Sequence, residues 1–107
     1  MNVRFSDRAI RCRATSAELQ KLLTGRAIEL ELYLPRDRRF LVNIRPSALD
    51  KWQLDSDPTG IWVSLPRSQL EALAQTLPSK EGIEHGFETA QGNVVVSFEV
   101  DLKKSQG

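Results

Sequence analysis

Little in this 107-residue chain is suited to disulfide, metal or membrane chemistry. It has one cysteine and one histidine. A lone Cys cannot close an internal disulfide, which fits a reducing compartment. A lone His, without neighbours at metal-ligand or triad spacing, supports neither a metal cluster nor nucleophilic catalysis. The apolar runs are a few residues long, far short of the roughly 20 needed to cross a bilayer. The segment Met1–Arg8 has no apolar stretch of signal-peptide type and moves directly into strand alternation. A net charge of +1 gives no global drive toward nucleic acid or a membrane surface. These absences predict a cytoplasmic protein away from membranes, with no cofactor and no metal. With 40% hydrophobic and 27% charged residues, the chain has the composition of a globular domain. Its length predicts one domain over 1–107 that can bury a core without staples.

What is present is a repeat. Residues 9–23 can be laid on residues 60–74, so that Ile10 meets Ile61, Cys12 meets Val63 and Ala14 meets Leu65. Leu19 then meets Leu70, and Leu22 meets Leu73. Each copy reads strand, strand, short helix, strand, strand, with repeat one at 1–46 and repeat two at 51–102. Neither copy could bury its sheet face alone. The expected fold is therefore α+β, mainly antiparallel, with two ββαββ repeats sharing one core in a barrel-like arrangement. The expected core holds Ile10, Leu19, Leu22, Leu30, Val63, Leu70, Leu73, Val96 and Phe98.

Local signals support each element. Val3, Phe5, Ile10, Cys12 and Ala14 alternate with polar residues on a first hairpin that turns at Asp7-Arg8. Thr15-Ser16-Ala17-Glu18 has the form of a capping box, and Gly25 is a natural end for the helix it starts. Ile28, Leu30, Leu32 and Leu34 point one way on the next strand, and Phe40, Val42 and Ile44 carry the return after a turn at Pro35–Arg38. In repeat two, Asp55–Gly60 reads as a turn, Pro66 suits a helix's first turn, and Pro78 helps to stop that helix. Ile83 and Phe87 mark a weaker strand, Gln91-Gly92-Asn93 reads as a turn, and Val94, Val96, Phe98 and Val100 finish the sheet. Lys103–Gly107 reads as a frayed tail.

The candidate chemistry is sparse. His85 reads as a surface or partly buried strand residue. Cys12 reads as a small core hydrophobe, although its flanking arginines would lower its pKa if it were accessible. Asp55 and Asp57 lack the ligand series of a calcium loop and fit Asx turns better. Gly82, Gly86 and Gly92 do not link a strand to a helix N-terminus, so they form no phosphate loop. No residue stands out as catalytic.

Charge is the remaining signal. Residues 1–50 hold ten Lys or Arg against six Asp or Glu, and residues 51–107 hold five against eight. Arg4, Arg11 and Arg13 should project from one face of the first hairpin, with Arg8 at its tip. This possible binding face can contact phosphates or an acidic protein surface, including the second repeat of another copy in a homodimer. The blander reading, which the absence of aromatic interleaving on this face favours, is a solvated strand face or one neutralised by Glu29 and Glu31 across the sheet.

The pattern Val3-Arg4, Ile10-Arg11-x-Arg13-x-Thr15, Glu18-Leu19, Leu22 and Gly25 resembles a family of small uncharacterised bacterial proteins. Those have an Ile-Arg-rich N-terminal hairpin and a Thr-x-x-Glu capped helix. Glu99-Val100-Asp101-Leu102 approximates the C-terminal stretch common among them, and the resemblance implies no function. In the second half, Gly60–Pro66, a helix and a hairpin are similar to the AbrB/MazE-type swapped-hairpin module. That resemblance implies interlocked ββαββ units in a small barrel and DNA contacts from basic N-terminal strands. Here the Leu-Pro unit is the acidic half, and the basic hairpin lies in the other repeat. The expectation is a non-catalytic binding or interaction module with a protein partner. The alternatives are a DNA-binding regulator or antitoxin of swapped-hairpin type, and an enzyme or sensor with a cleft between repeats.

Overall fold

Alternating apolar residues build eight strands, and two leucine stripes build the helices between them. The computed structural model describes residues 1–77 and 81–101. In chain order these are β1 (Asn2–Ser6), β2 (Ala9–Ala14), α1 (Ser16–Leu23), β3 (Ile28–Leu34) and β4 (Arg38–Ser47). Then follow β5 (Gln53–Asp57), β6 (Gly60–Pro66), α2 (Arg67–Thr76), β7 (Ile83–Thr89) and β8 (Gly92–Val100). The ββαββ order occurs twice, as the repeat predicts. Pro78, Leu102 and the tail Lys103–Gly107 lie outside the described residues.

The repeats do not sit side by side; they exchange hairpins. The first sheet has the order β1-β2-β8-β7 and the second β3-β4-β6-β5. Each hairpin is antiparallel, and the two central seams are parallel. Across β2 and β8, Ile10 lies beside Val96 and Cys12 beside Phe98. Across β4 and β6, Val42 lies beside Ile61 and Ile44 beside Val63. The seams even start alike, with the Val95 N–H donating to the Arg8 carbonyl and the Leu41 N–H to the Thr59 carbonyl, both at 2.9 Å. Among the described residues no strand pairing joins the two sheets, so the barrel-like closure is corrected to two open sheets. Each repeat sends its two hairpins to different sheets, which leaves β1, β7, β3 and β5 as edges.

The inner faces and both helices share one core. Phe98, Val96, Cys12, Ile44, Val63, Leu65, Leu19, Leu22 and Leu70 are its most enclosed side chains. Of the expected core residues, only Leu30 departs, at 36% exposure. On β3 the burial ends at Ile28, and the strand is an edge with β4 on one side only.

The two helix starts show the same problem solved differently. The Thr15 hydroxyl accepts from the Glu18 amide at 3.1 Å, and the Glu18 carboxylate accepts from the Thr15 amide at 2.9 Å. Pro66 takes the matching place before α2 and ends β6; it precedes the helix instead of sitting in its first turn. It has no side-chain acceptor to offer. Asp50 supplies one, accepting from the Ser68 amide at 2.9 Å. Glu18 also binds the N-terminal ammonium at 3.0 Å, and Gln69 accepts from the Trp52 indole at 3.2 Å, so the repeat extends to polar anchors.

Burial pushes the Glu18 carboxyl up, but the Thr15 backbone and hydroxyl and the N-terminal ammonium outweigh it and hold it low. A depressed folded-state value means stabilisation that is full above the unfolded value of about 4.3 and lost as pH falls through the folded value. Thr15→Ala should lower the unfolding free energy by about 0.5–2 kcal/mol. Glu18→Gln should shrink the stability difference between neutral and acid pH. Urea titrations at both pH values check this; an unchanged difference would remove Glu18 from the acid sensitivity.

Turns account for the remaining departures. Asp55 and Asp57 lie within β5, and the turn is Pro58-Thr59. Asp57 caps it, accepting from the Thr59 amide at 2.7 Å and its hydroxyl at 2.6 Å. The last hairpin turns at Ala90-Gln91, and Gly92, with φ of 107°, already opens β8. At Gly60 a Cβ would collide with the Leu41 carbonyl oxygen, so glycine lets β6 close onto β4. No helix among the described residues is long and apolar enough to cross a membrane.

Candidate functional site

Period-two alternation sends Val3, Phe5, Ile10, Cys12 and Ala14 to the inner face of the first sheet and the arginines outward. Arg4 lies directly opposite Arg11, and Asn2 opposite Arg13. All three arginines are exposed. Arg8 is not part of this cluster. It sits in the turn at the far end of the hairpin, where a Cβ on Gly92 would stand 2.6 Å from its Nη1.

The hairpin exchange decides what the arginines face. Arg11 is beside Ser97 and Arg13 beside Glu99 on β8; beyond them on β7, Glu84 is opposite Ser97 and Glu88 opposite Asn93. Arg13 Nη2 lies 3.7 Å from a Glu99 oxygen, a half-exposed ion pair. One half of this outer face is thus basic and the other acidic. An open groove of about 620 Å³ runs between the halves past Ala9, Arg11, Glu84, Val95, Ser97 and Glu99. Glu29 and Glu31, the expected neutralising partners, lie in the other sheet, where Glu29 accepts from Asn43 at 2.8 Å and Glu31 from Arg39 at 2.6 Å. The acids come from the end of the chain because β8, not β3, pairs with β2.

The outer face of the second sheet carries a second groove, of about 490 Å³, past Arg45, Gln53, Asp55, Trp62 and Ser64. Asn43 is buried beneath this surface, and its side-chain oxygen accepts from Arg45 Nε at 3.0 Å. Trp62 pairs with Asn43 across the parallel seam. The sequence reading missed this group. Outward positions of β4 and β6 were legible, but their adjacency was not.

The other candidate groups have quieter places. Cys12 is a free, buried thiol, and burial pushes its pKa up to about 12. That opposes the activation its flanking arginines would give an accessible thiol. His85 is exposed on β7, stacked on Trp52 with ring centroids 5.6 Å apart and edge-on to Phe87 at 4.9 Å. Among the described residues no group of three or more His, Cys, Asp or Glu is placed to hold a metal ion.

Comparison with curated proteins and with solved structures gives no match. Residues 1–104 match the model of a family of unknown function, DUF7009, and the chain belongs to that family.

Proposed function

We propose that this chain is a non-catalytic cytoplasmic interaction module that docks a protein on the outer face of its first sheet. The observation that carries this reading is the polarised face itself, with Arg4, Arg11 and Arg13 on β1 and β2 and Glu84, Glu88 and Glu99 on β7 and β8. A protein segment with acids at one end and bases at the other complements both halves, and guanidinium groups bind carboxylates in bidentate fashion. A phosphate backbone is negative along its whole length and would meet Glu84 and Glu99 on the same face. The exchanged hairpins support the swapped-hairpin likeness, but the acidic half favours protein over DNA. The free, buried thiol of Cys12 supports a reducing compartment.

Fluorescence anisotropy tests this with a labelled peptide, glutamate-rich at one end and lysine-rich at the other, against a random DNA duplex. The peptide should bind, more weakly in salt. The double variant Arg11→Gln, Arg13→Gln should lower peptide affinity on the order of tenfold, as loss of close charge pairs does. Stability should stay within about 0.5 kcal/mol, as for exposed positions. DNA binding that falls by about one log–log unit per phosphate contact, and is lost in the same variant, would replace the protein reading with the DNA one.

A further inference from the structure

Among the described residues β3 borders the second sheet with β4 on one side only, so alternate N–H and C=O groups along it face outward without a strand partner there. On its inner face Leu30, Leu32 and Leu34 are 36%, 55% and 42% exposed, and Tyr33 on the outer face is 71% exposed. The other edges are protected in ways β3 is not. β1 and β5 are five residues long and carry Arg4, Asp55 and Asp57. β7 carries Gly86 between Glu84 and Glu88. β3 has seven residues and no Gly, Pro or Lys, and its two glutamates are already tied to Asn43 and Arg39. A long edge strand with an alternating row of bare leucines is a template for another strand.

We propose that β3 pairs antiparallel with β3 of a second copy across a two-fold axis at Glu31, making one continuous sheet from the two second sheets. This register uses the whole strand. On the inner face Leu30 meets the partner's Leu32 and Ile28 the partner's Leu34, and the symmetry repeats both pairs. On the outer face Glu29 lies beside the partner's Tyr33, whose hydroxyl donates to Glu31 of its own chain at 3.3 Å and would have to turn to reach Glu29. At the axis Glu31 meets the partner's Glu31. Each of these carboxylates is held by an Arg39 of its own chain at 2.6 Å, so two cations balance two anions. A one-residue slip would set Leu30 and Leu32 directly opposite a glutamate or the tyrosine of the partner, on the same face of the sheet. A second copy carries the matching apolar alternation by construction, as a self-complementary two-fold interface requires.

The arginine face lies on the other sheet, so the two readings can fail separately. Sedimentation equilibrium in high salt, where exposed charge pairs are screened, should give twice the 12.1 kDa chain mass. Leu32→Lys should raise the dissociation constant by more than about tenfold, as truncating a central interface contact does. Circular dichroism and the urea midpoint should hold, since Leu32 is more than half exposed. Oxidation of Glu31→Cys should trap a covalent dimer, and Asp55→Cys on the opposite edge should not. A monomer at all concentrations overturns the proposal, as does a dimer that persists in Leu32→Lys or one that Glu31→Cys fails to trap.

Discussion

Phe98→Ala should lower the unfolding free energy by about 3–5 kcal/mol, the range for large aromatic truncations in a packed core. Phe98 is 1% exposed on β8, beside Cys12 of β2 and opposite Ile83 of β7. It therefore fills the place where the first hairpin and the last hairpin meet. Small domains unfold with only about 5–15 kcal/mol in total, so this single change removes a large share. Cys12, beside it on the parallel seam, is a short side chain and fills little of the space the ring would leave. Urea titration measures the loss. A cost under about 1.5 kcal/mol, the range of volume-conserving swaps, would mean the site repacks and the seam is not held by this ring.

Leu22→Ala and Leu73→Ala should each cost about 2–5 kcal/mol. They occupy matching positions on α1 and α2, both buried, in helices that pack on each other. The informative readout is fluorescence, because both tryptophans, Trp52 and Trp62, belong to repeat two. If the repeats share one core, Leu22→Ala in repeat one lowers the urea midpoint seen by those tryptophans as much as Leu73→Ala does. Should the tryptophan transition stay in place while circular dichroism moves, the halves unfold separately and the single core is wrong.

Much of this architecture is legible in local patterns. The capping box at Thr15 and Glu18, the leucine stripes and the outward arginines of β2 all follow from periods of 3.6 and 2. What local pattern cannot supply is which hairpin lies beside which. Glu99 was readable as an outward residue of β8, yet nothing near it in sequence says that it faces Arg13. Glu29 and Glu31 read equally well as partners for the arginines, and the exchange of hairpins moved them to the other sheet. Leu30 illustrates the same limit: its alternation with Glu29 and Glu31 matches a core strand, yet it lies on an edge strand and is 36% exposed. Asp50 is a further case, since its role as the cap of α2 depends on a loop folding back across the chain.

Pairing β2 with β8 also sets an order of events during synthesis. β2 gains its central neighbour only after α1, β3, β4, β5, β6, α2 and β7 have all been made. The first hairpin leaves the ribosome with its inner apolar row, Ile10 and Cys12, facing no sheet. Contacts this distant in sequence close late and slow the search for the native state. Until β8 arrives, α1 and the β3–β4 hairpin are the natural first structures, and the β1–β2 hairpin waits with an open inner edge. The first hairpin is thus most exposed to aggregation until β8 is made.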